Sequence, residues 1–129
     1  MMDWNLFIDD ERNPQDVKWA PYYIYNKYVS EEWTIARNEF EVYYEIAKRN
    51  QFPSYISFDH DLGKGEATGY DIVKELVSRD MDNLVHIPQD FQFYVHSKNP
   101  IGAKNIQMYL DNYLTMKNGI NKFIDGSKI

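Results

Sequence analysis

The sequence predicts an α/β domain built on a short, mostly parallel sheet of about four strands. Three observations carry this. Apolar runs of strand length, rich in aromatic and β-branched residues, recur at Trp4–Ile8, Trp33–Ala36, Ser54–Phe58 and Phe91–Val95. Stretches with helical periodicity follow the last three of them. Three of the runs also stop at polar clusters: Asp9-Asp10-Glu11, Asp59-His60-Asp61, and His96-Ser97 with Asn99. Strands that alternate with helices imply parallel βαβ units joined by right-handed crossovers. At 129 residues the chain is expected to form one domain spanning 1–129, large enough to bury a core.

The first strand, Trp4–Ile8, ends in three consecutive acids and is broken by Asn13-Pro14. Residues 15–30 carry Pro21, Tyr22, Tyr23, Ile24, Tyr25 and Tyr28, a pattern that fits a short extra strand or one helical turn equally. After the second strand, Asn38 caps an amphipathic helix over Glu39–Arg49, with Phe40, Tyr43, Tyr44, Ile46 and Ala47 expected to face the core and Glu41 and Glu45 to face away. Gly63, Gly65 and Gly69 loosen the return from the third strand. Thr68-Gly-Tyr-Asp71 has the form of a capping box and opens a helix over Tyr70–Arg79, with Ile72, Val73, Leu76 and Val77 inward. Residues 80–88 connect to the fourth strand. Pro100 suits the first position of a final helix over Ile101–Met116, striped by Ile106, Tyr109, Leu110 and Tyr113. Residues 117–129 read as a polar, loosely held tail.

If the strands run parallel, the three polar clusters meet at one sheet edge, and the carboxyl ends of parallel strands are where ligands bind in open α/β sheets. Asp9, Asp10, Asp59 and Asp61 are oxygen donors suited to Mg²⁺ or Mn²⁺. His60 and His96 suit general acid–base work near neutral pH, with Asp59 beside them. Ser97, Asn99 and the amides of the final helix suit phosphate oxygens. Lys104 adds positive charge one turn in, and Gly63 lets backbone amides approach an anion. Plainer readings stand beside these. Asp61 fits an Asx turn, Asn99 a helix N-cap, and His96 a hydrogen-bonded core histidine. His86 lies in a connection and is expected at the surface. No Gly-x-Ser-x-Gly elbow surrounds Ser97, which argues against a covalent serine nucleophile.

The formal charge of −6 disfavours a general nucleic-acid or anionic-membrane surface. The absence of cysteine removes disulfides, thiolate nucleophiles and thiolate metal sites. No apolar run reaches membrane-spanning length and no signal sequence opens the chain, so a cytoplasmic protein is expected. The 11 tyrosines make many aromatic side chains amphipathic, which suits either a half-exposed core edge or a binding face.

Four blocks together resemble the cyclic-phosphate processing receiver domain, a relative of response-regulator receivers found in bacteria and phages. They are Leu6–Pro14, Trp33–Asn38, Ile56–Gly63 leading to Thr68–Asp71, and Val95–Gly102 followed by Asn105. The resemblance runs from Leu6 to about Tyr113. It implies a flavodoxin-like three-layer sandwich with a shortened sheet, and a cytoplasmic site in the host if the chain is phage-encoded. It matches Asp9 and Asp10 to the acidic pair that holds Mg²⁺ in receivers, Asp59 to the phospho-accepting aspartate, and Ser97 to the Ser/Thr one strand on. No later strand supplies the receiver lysine, and His60 and His96 are additions, which argues against ordinary phosphorelay. The expected activity is metal-dependent hydrolysis of a cyclic phosphate or phosphodiester on a nucleotide or RNA end. The alternative is a non-catalytic module that sequesters a nucleotide or docks on a host or partner protein through Tyr22–Tyr28.

Overall fold

The computed structural model describes residues 3–125, with side chains through 119. Four strands form one all-parallel sheet: β1 (Asn5–Ile8), β2 (Thr34–Ala36), β3 (Tyr55–Phe58) and β4 (Gln92–Val95), in the order β2-β1-β3-β4. Helices α1 (Tyr22–Ser30), α2 (Glu39–Arg49), α3 (Gly69–Met81) and α4 (Pro100–Asp125) follow the strands in turn. The strands lie where the apolar runs place them, within one residue. Alternation decides which helix lies on which face. Leu6, Ile8, Ile56, Phe58, Phe93 and Val95 form one face and pack against α2, α3 and α4. Phe7, Tyr55 and Tyr94 form the other and pack against α1 and Val17. The result is the expected three-layer, flavodoxin-like α/β fold.

The chain leaves β1 toward β2, then crosses back to β3 on the other side of β1. The topological switch point therefore lies between the carboxyl ends of β1 and β3. Register pairs Ile8 with Phe58 and Phe58 with Val95. Asp9, Asp59 and His96, each the next residue, accordingly leave the sheet at one level.

Four local expectations need correction. Residues 22–30 are a two-turn helix, preceded by a 3₁₀ turn over Pro14–Asp16, rather than a strand or a single turn. Pro21 supplies the entry, and Ile24 and Tyr28, four apart, are its buried face. In α2 the buried positions are Val42 and Ile46, while Phe40 and Tyr44 are exposed and stack on one another with centroids 6.3 Å apart. Ala47 is exposed, and Glu41 and Glu45 are half-buried: Glu41 accepts from the Arg37 amide and Glu45 pairs with Arg49. α4 continues to Asp125 rather than ending at Met116. The reason is Lys117, whose Nζ donates to Asp80 Oδ2 at 2.9 Å and to the Ile87 carbonyl at 2.7 Å. Asp80 is buried and also accepts from Tyr113 Oη and the Ile87 amide, so the end of α3, the connection after it and α4 share one ion pair. The rest of the expected tail, 126–129, lies outside the described residues. Among the described residues no helix is long and apolar enough to cross a membrane.

Candidate functional site

Asp9 is the deepest residue of the site. It is fully buried, and both carboxylate oxygens are engaged. The amides of Glu11 and Arg12 donate to Oδ1 at 2.9 and 2.8 Å. Arg12 Nη1 donates to Oδ2 at 3.3 Å, and His96 Nε2 lies 3.0 Å from the same oxygen. Burial alone would raise the carboxyl pKa, but the bonds from His96 and the two amides outweigh it and hold Asp9 down at about 2.

Behind Asp9 runs a buried polar chain. Tyr28 Oη lies 2.5 Å from Ser57 Oγ, and Ser57 Oγ lies 2.7 Å from His96 Nδ1. The His96 ring stacks on Phe7 at 4.5 Å and has no exposed surface. Ionised Asp9 requires a proton on Nε2, and Ser57 Oγ takes up Nδ1, so both nitrogens of His96 are committed. This is the hydrogen-bonded core histidine of the plainer reading, placed so that it orients Asp9. Burial keeps the Tyr28 phenol protonated by pushing its pKa well above the usual range.

Asp59 is also buried, and its Oδ1 accepts from the His60 amide at 2.8 Å. Its Oδ2 lies 3.8 Å from Arg12 Nη1. Burial, and then the charge of Asp9, push its pKa up, opposed by His96, the His60 amide and Ser97. Asp9, Asp59 and His96 offer ligand atoms that all lie within 4.8 Å of one another. The donor set suits a hard divalent ion through its two buried carboxylates, whose oxygens are the kind Mg²⁺ takes. His96 has no free nitrogen to add.

The second cluster lies on the β3–α3 loop. Asp61 Oδ1 lies 3.0 Å from His60 Nδ1, and Asn99 Nδ2 donates to Asp61 Oδ2 at 3.2 Å. Asp61 therefore fixes the His60 tautomer that leaves Nε2 with a lone pair, and Nε2 has no hydrogen-bond partner among the described residues. Asp61 itself is at the surface and outside the Asp9–Asp59–His96 set. Two glycines make room for this loop. A Cβ at Gly69 would collide with the Asp59 carbonyl oxygen, and one at Gly102 with the His60 ring.

Asn99 is also the N-cap of α4, its Oδ1 accepting from the Gly102 amide at 3.0 Å. This removes most of the expected amide cradle. Pro100 has no N–H, Gly102 is capped, and the Ala103 amide donates to the Asn99 carbonyl. Ser97 Oγ accepts from the Asn99 amide at 3.1 Å. Asp10 is half-buried and lies outside the tight cluster; its Oδ2 faces the turn at Gly63, where φ is +110° and glycine is required. Lys104 is exposed and His86 is at the surface as expected.

The residues missing from the sequence expectations are Arg12, Trp19, Ser57 and Tyr28. Arg12 stands three residues after Asp9, and Ser57 is a lone hydroxyl in a fully buried strand; both were visible signals. Trp19 and Tyr28 reach the site only through the fold: Trp19 Nε1 donates to the His96 carbonyl at 3.0 Å, and the Arg12 guanidinium stacks over its ring at 5.0 Å. A cavity of about 950 Å³ lies at the opposite, amino edge of the sheet between Tyr43, Phe52, Arg79, Leu84 and Asp90. It contains none of these groups, and depth alone does not outweigh the chemistry at the carboxyl edge.

Comparison with known proteins gives one family: the cyclic-phosphate processing receiver domain matches residues 4–112. No curated protein matches the chain. Among solved structures, it is similar to a fusion carrying amino acids 181-211 of the yeast Spc42 trimeric coiled coil. The identity is 16% over 97% of this chain and 91% of that one, with a TM-score of 0.37, too low to support an argument.

Proposed function

We propose that this chain, which belongs to the cyclic-phosphate processing receiver domain family, hydrolyses a cyclic phosphate of a nucleotide or RNA end at the carboxyl edge of its sheet. The observation that carries the reading is the pairing, at that edge, of two buried carboxylates and an arginine with a histidine whose tautomer is fixed by Asp61. Acids without a proton carrier suit ion storage; an imidazole with a free lone pair suits proton transfer at neutral pH.

His60 Nε2 takes a proton from water as the oxygen attacks phosphorus. The phosphorus–oxygen bond of the ring breaks, and the same nitrogen returns the proton to the departing alkoxide. Asp61 supports the imidazolium in between, and Asn99 holds Asp61 in place. Arg12 and Ser97 face the phosphoryl oxygens, where a guanidinium fork matches their geometry. Asp9 and Asp59, with Asp10 from the same loop as Asp9, would hold Mg²⁺ or Mn²⁺. When bound, the ion supplies Lewis-acid stabilisation of phosphoryl charge. His96 and Ser57 position Asp9.

The test is turnover of nucleoside 2′,3′- and 3′,5′-cyclic phosphates and of RNA 2′,3′-cyclic ends with Mg²⁺ or Mn²⁺. Wild type should open the ring, and His60→Gln should lose about 10²–10⁴-fold in rate. Absence of turnover across the panel, or a His60→Gln rate equal to wild type, would remove the mechanism. Exposed Tyr22 and Tyr23, 85% and 72% accessible on the first turn of α1, favour a second reading, a module that binds without turnover. Calorimetry showing nucleotide binding by a chain that turns nothing over would select it.

A further inference from the structure

We propose that Arg12 is the resident counter-cation of the Asp9–Asp59 pair, and that a divalent ion enters the pocket only as the guanidinium leaves it. This rests on the reading of the carboxyl edge as the functional site, and assigns that site its control element. One nitrogen, Nη1, lies 3.3 Å from Asp9 Oδ2 and 3.8 Å from Asp59 Oδ2. It stands between the two oxygens that a metal would use. An Mg²⁺ ion needs those oxygens at about 2.0–2.1 Å, and a guanidinium left in place would repel it at close range in a poorly solvated pocket. The two cations are alternatives.

Arg12 is also built to move. Asp9 stays anchored without it, since Oδ1 keeps two amides and Oδ2 keeps His96. The Arg12 side chain is 34% exposed, whereas both acids are buried, so its outward path is open. Its flat face lies on Trp19, which is itself tied to the His96 carbonyl, and Lys98 Nζ lies 4.3 Å from the centre of the same indole. A guanidinium can slide along that ring while keeping its cation–π contact. Once off the acids it is a free guanidinium fork, a group that takes a phosphate. Metal on the acids and phosphate on Arg12 therefore favour each other.

The experiment is Mn²⁺ binding, read from the paramagnetic resonance signal of the free ion, with and without inorganic phosphate. Wild type, Arg12→Gln and Trp19→Ala are compared, and thermal melts confirm folding. Arg12→Gln should bind Mn²⁺ about tenfold or more tightly, the scale on which one neighbouring charge moves an ionic equilibrium. It should also lose the gain that phosphate gives wild type. Trp19→Ala, which removes the ring that supports the guanidinium in both positions, should bind Mn²⁺ no more tightly than wild type. Affinity in Arg12→Gln equal to or below wild type overturns the proposal, as does the absence of Mn²⁺ binding in both. Should Arg12→Gln not fold, Arg12→Met, which also removes the charge, decides by the same comparison. Turnover by wild type with unchanged Mn²⁺ affinity in Arg12→Gln would dismiss the role of Arg12 alone. Tighter binding in Arg12→Gln without turnover would dismiss catalysis alone.

Discussion

Asp9 and Asp59 are both buried, yet their surroundings drive them apart. Asp9 has a full set of donors and Asp59 does not. Each difference has a stability consequence. The folded pKa of Asp9 is depressed from 3.8 to about 2, so its contribution is complete above the unfolded value and is lost as pH falls from about 4 toward 2. That contribution is about 2 kcal/mol. Urea midpoints measured at pH 5 and near pH 2 should therefore fall further for wild type than for Asp9→Asn. Asp59 has the opposite sign: its folded pKa is raised, so the folded state loses stability as pH climbs through it. Asp59→Asn keeps the acceptor for the His60 amide and removes the charge. It should raise the melting temperature at pH 7 by a few degrees, the shift that about 1 kcal/mol gives in a domain of this size, while losing function. A lower melting temperature would mean that Arg12 compensates Asp59 better than the geometry indicates. In the polar chain behind Asp9, Ser57→Ala strands both the Tyr28 hydroxyl and His96 Nδ1, whereas Tyr28→Phe leaves the Ser57–His96 bond in place. Denaturant unfolding should show Ser57→Ala as the costlier change, by about 1–3 kcal/mol.

At the scale of elements, two helix starts fix the loop that carries His60. α3 begins at Gly69 under the Asp59 carbonyl and α4 passes Gly102 under the His60 ring. Gly69→Ala meets backbone and should destabilise strongly or prevent folding. Gly102→Ala meets a side chain that can turn away, so it should keep most of the stability while displacing His60. Turnover measured beside a melting curve separates the two effects; a Gly102→Ala protein with full activity would show that His60 is not held where it works. Element by element, what the sequence revealed depended on whether the signal was local. β1, β3 and β4 were legible because their apolar runs are short, β-favouring and bounded by acids or glycine. The Thr68–Asp71 box was legible because both of its hydrogen bonds lie within four residues, at 2.9 and 3.2 Å. α1 was not, because Tyr22, Tyr23 and Tyr25 obscure a period carried only by Ile24 and Tyr28. The extension of α4 was not, because Lys117 finds its partner 37 residues away at Asp80. In α2 the apolar ring of Phe40 suggested a core position, but the buried face is that of Val42 and Ile46, about half a turn away.

For the molecule as a whole, the strand order explains why the acids were recognisable and their controls were not. A parallel sheet brings strand ends together, so Asp9, Asp59 and His96 could be grouped from the sequence as soon as their strands were. Ser57 and His96 lie 39 residues apart, and Trp19 and His96 lie 77 apart. Those contacts depend on which face each strand offers and on α1 covering only one side of the sheet. The same topology sets two candidate regions at opposite edges: the carboxyl edge with its acids, arginine and histidine, and the amino-edge cavity lined by Tyr43, Arg79 and Leu84. The most direct discrimination between them is a crystal structure with a non-hydrolysable cyclic phosphorothioate. Density for the phosphorus group beside Arg12, Asp59 and His60 is the expected result. Density confined to the Tyr43–Arg79 cavity would contradict the assignment of function to the carboxyl edge.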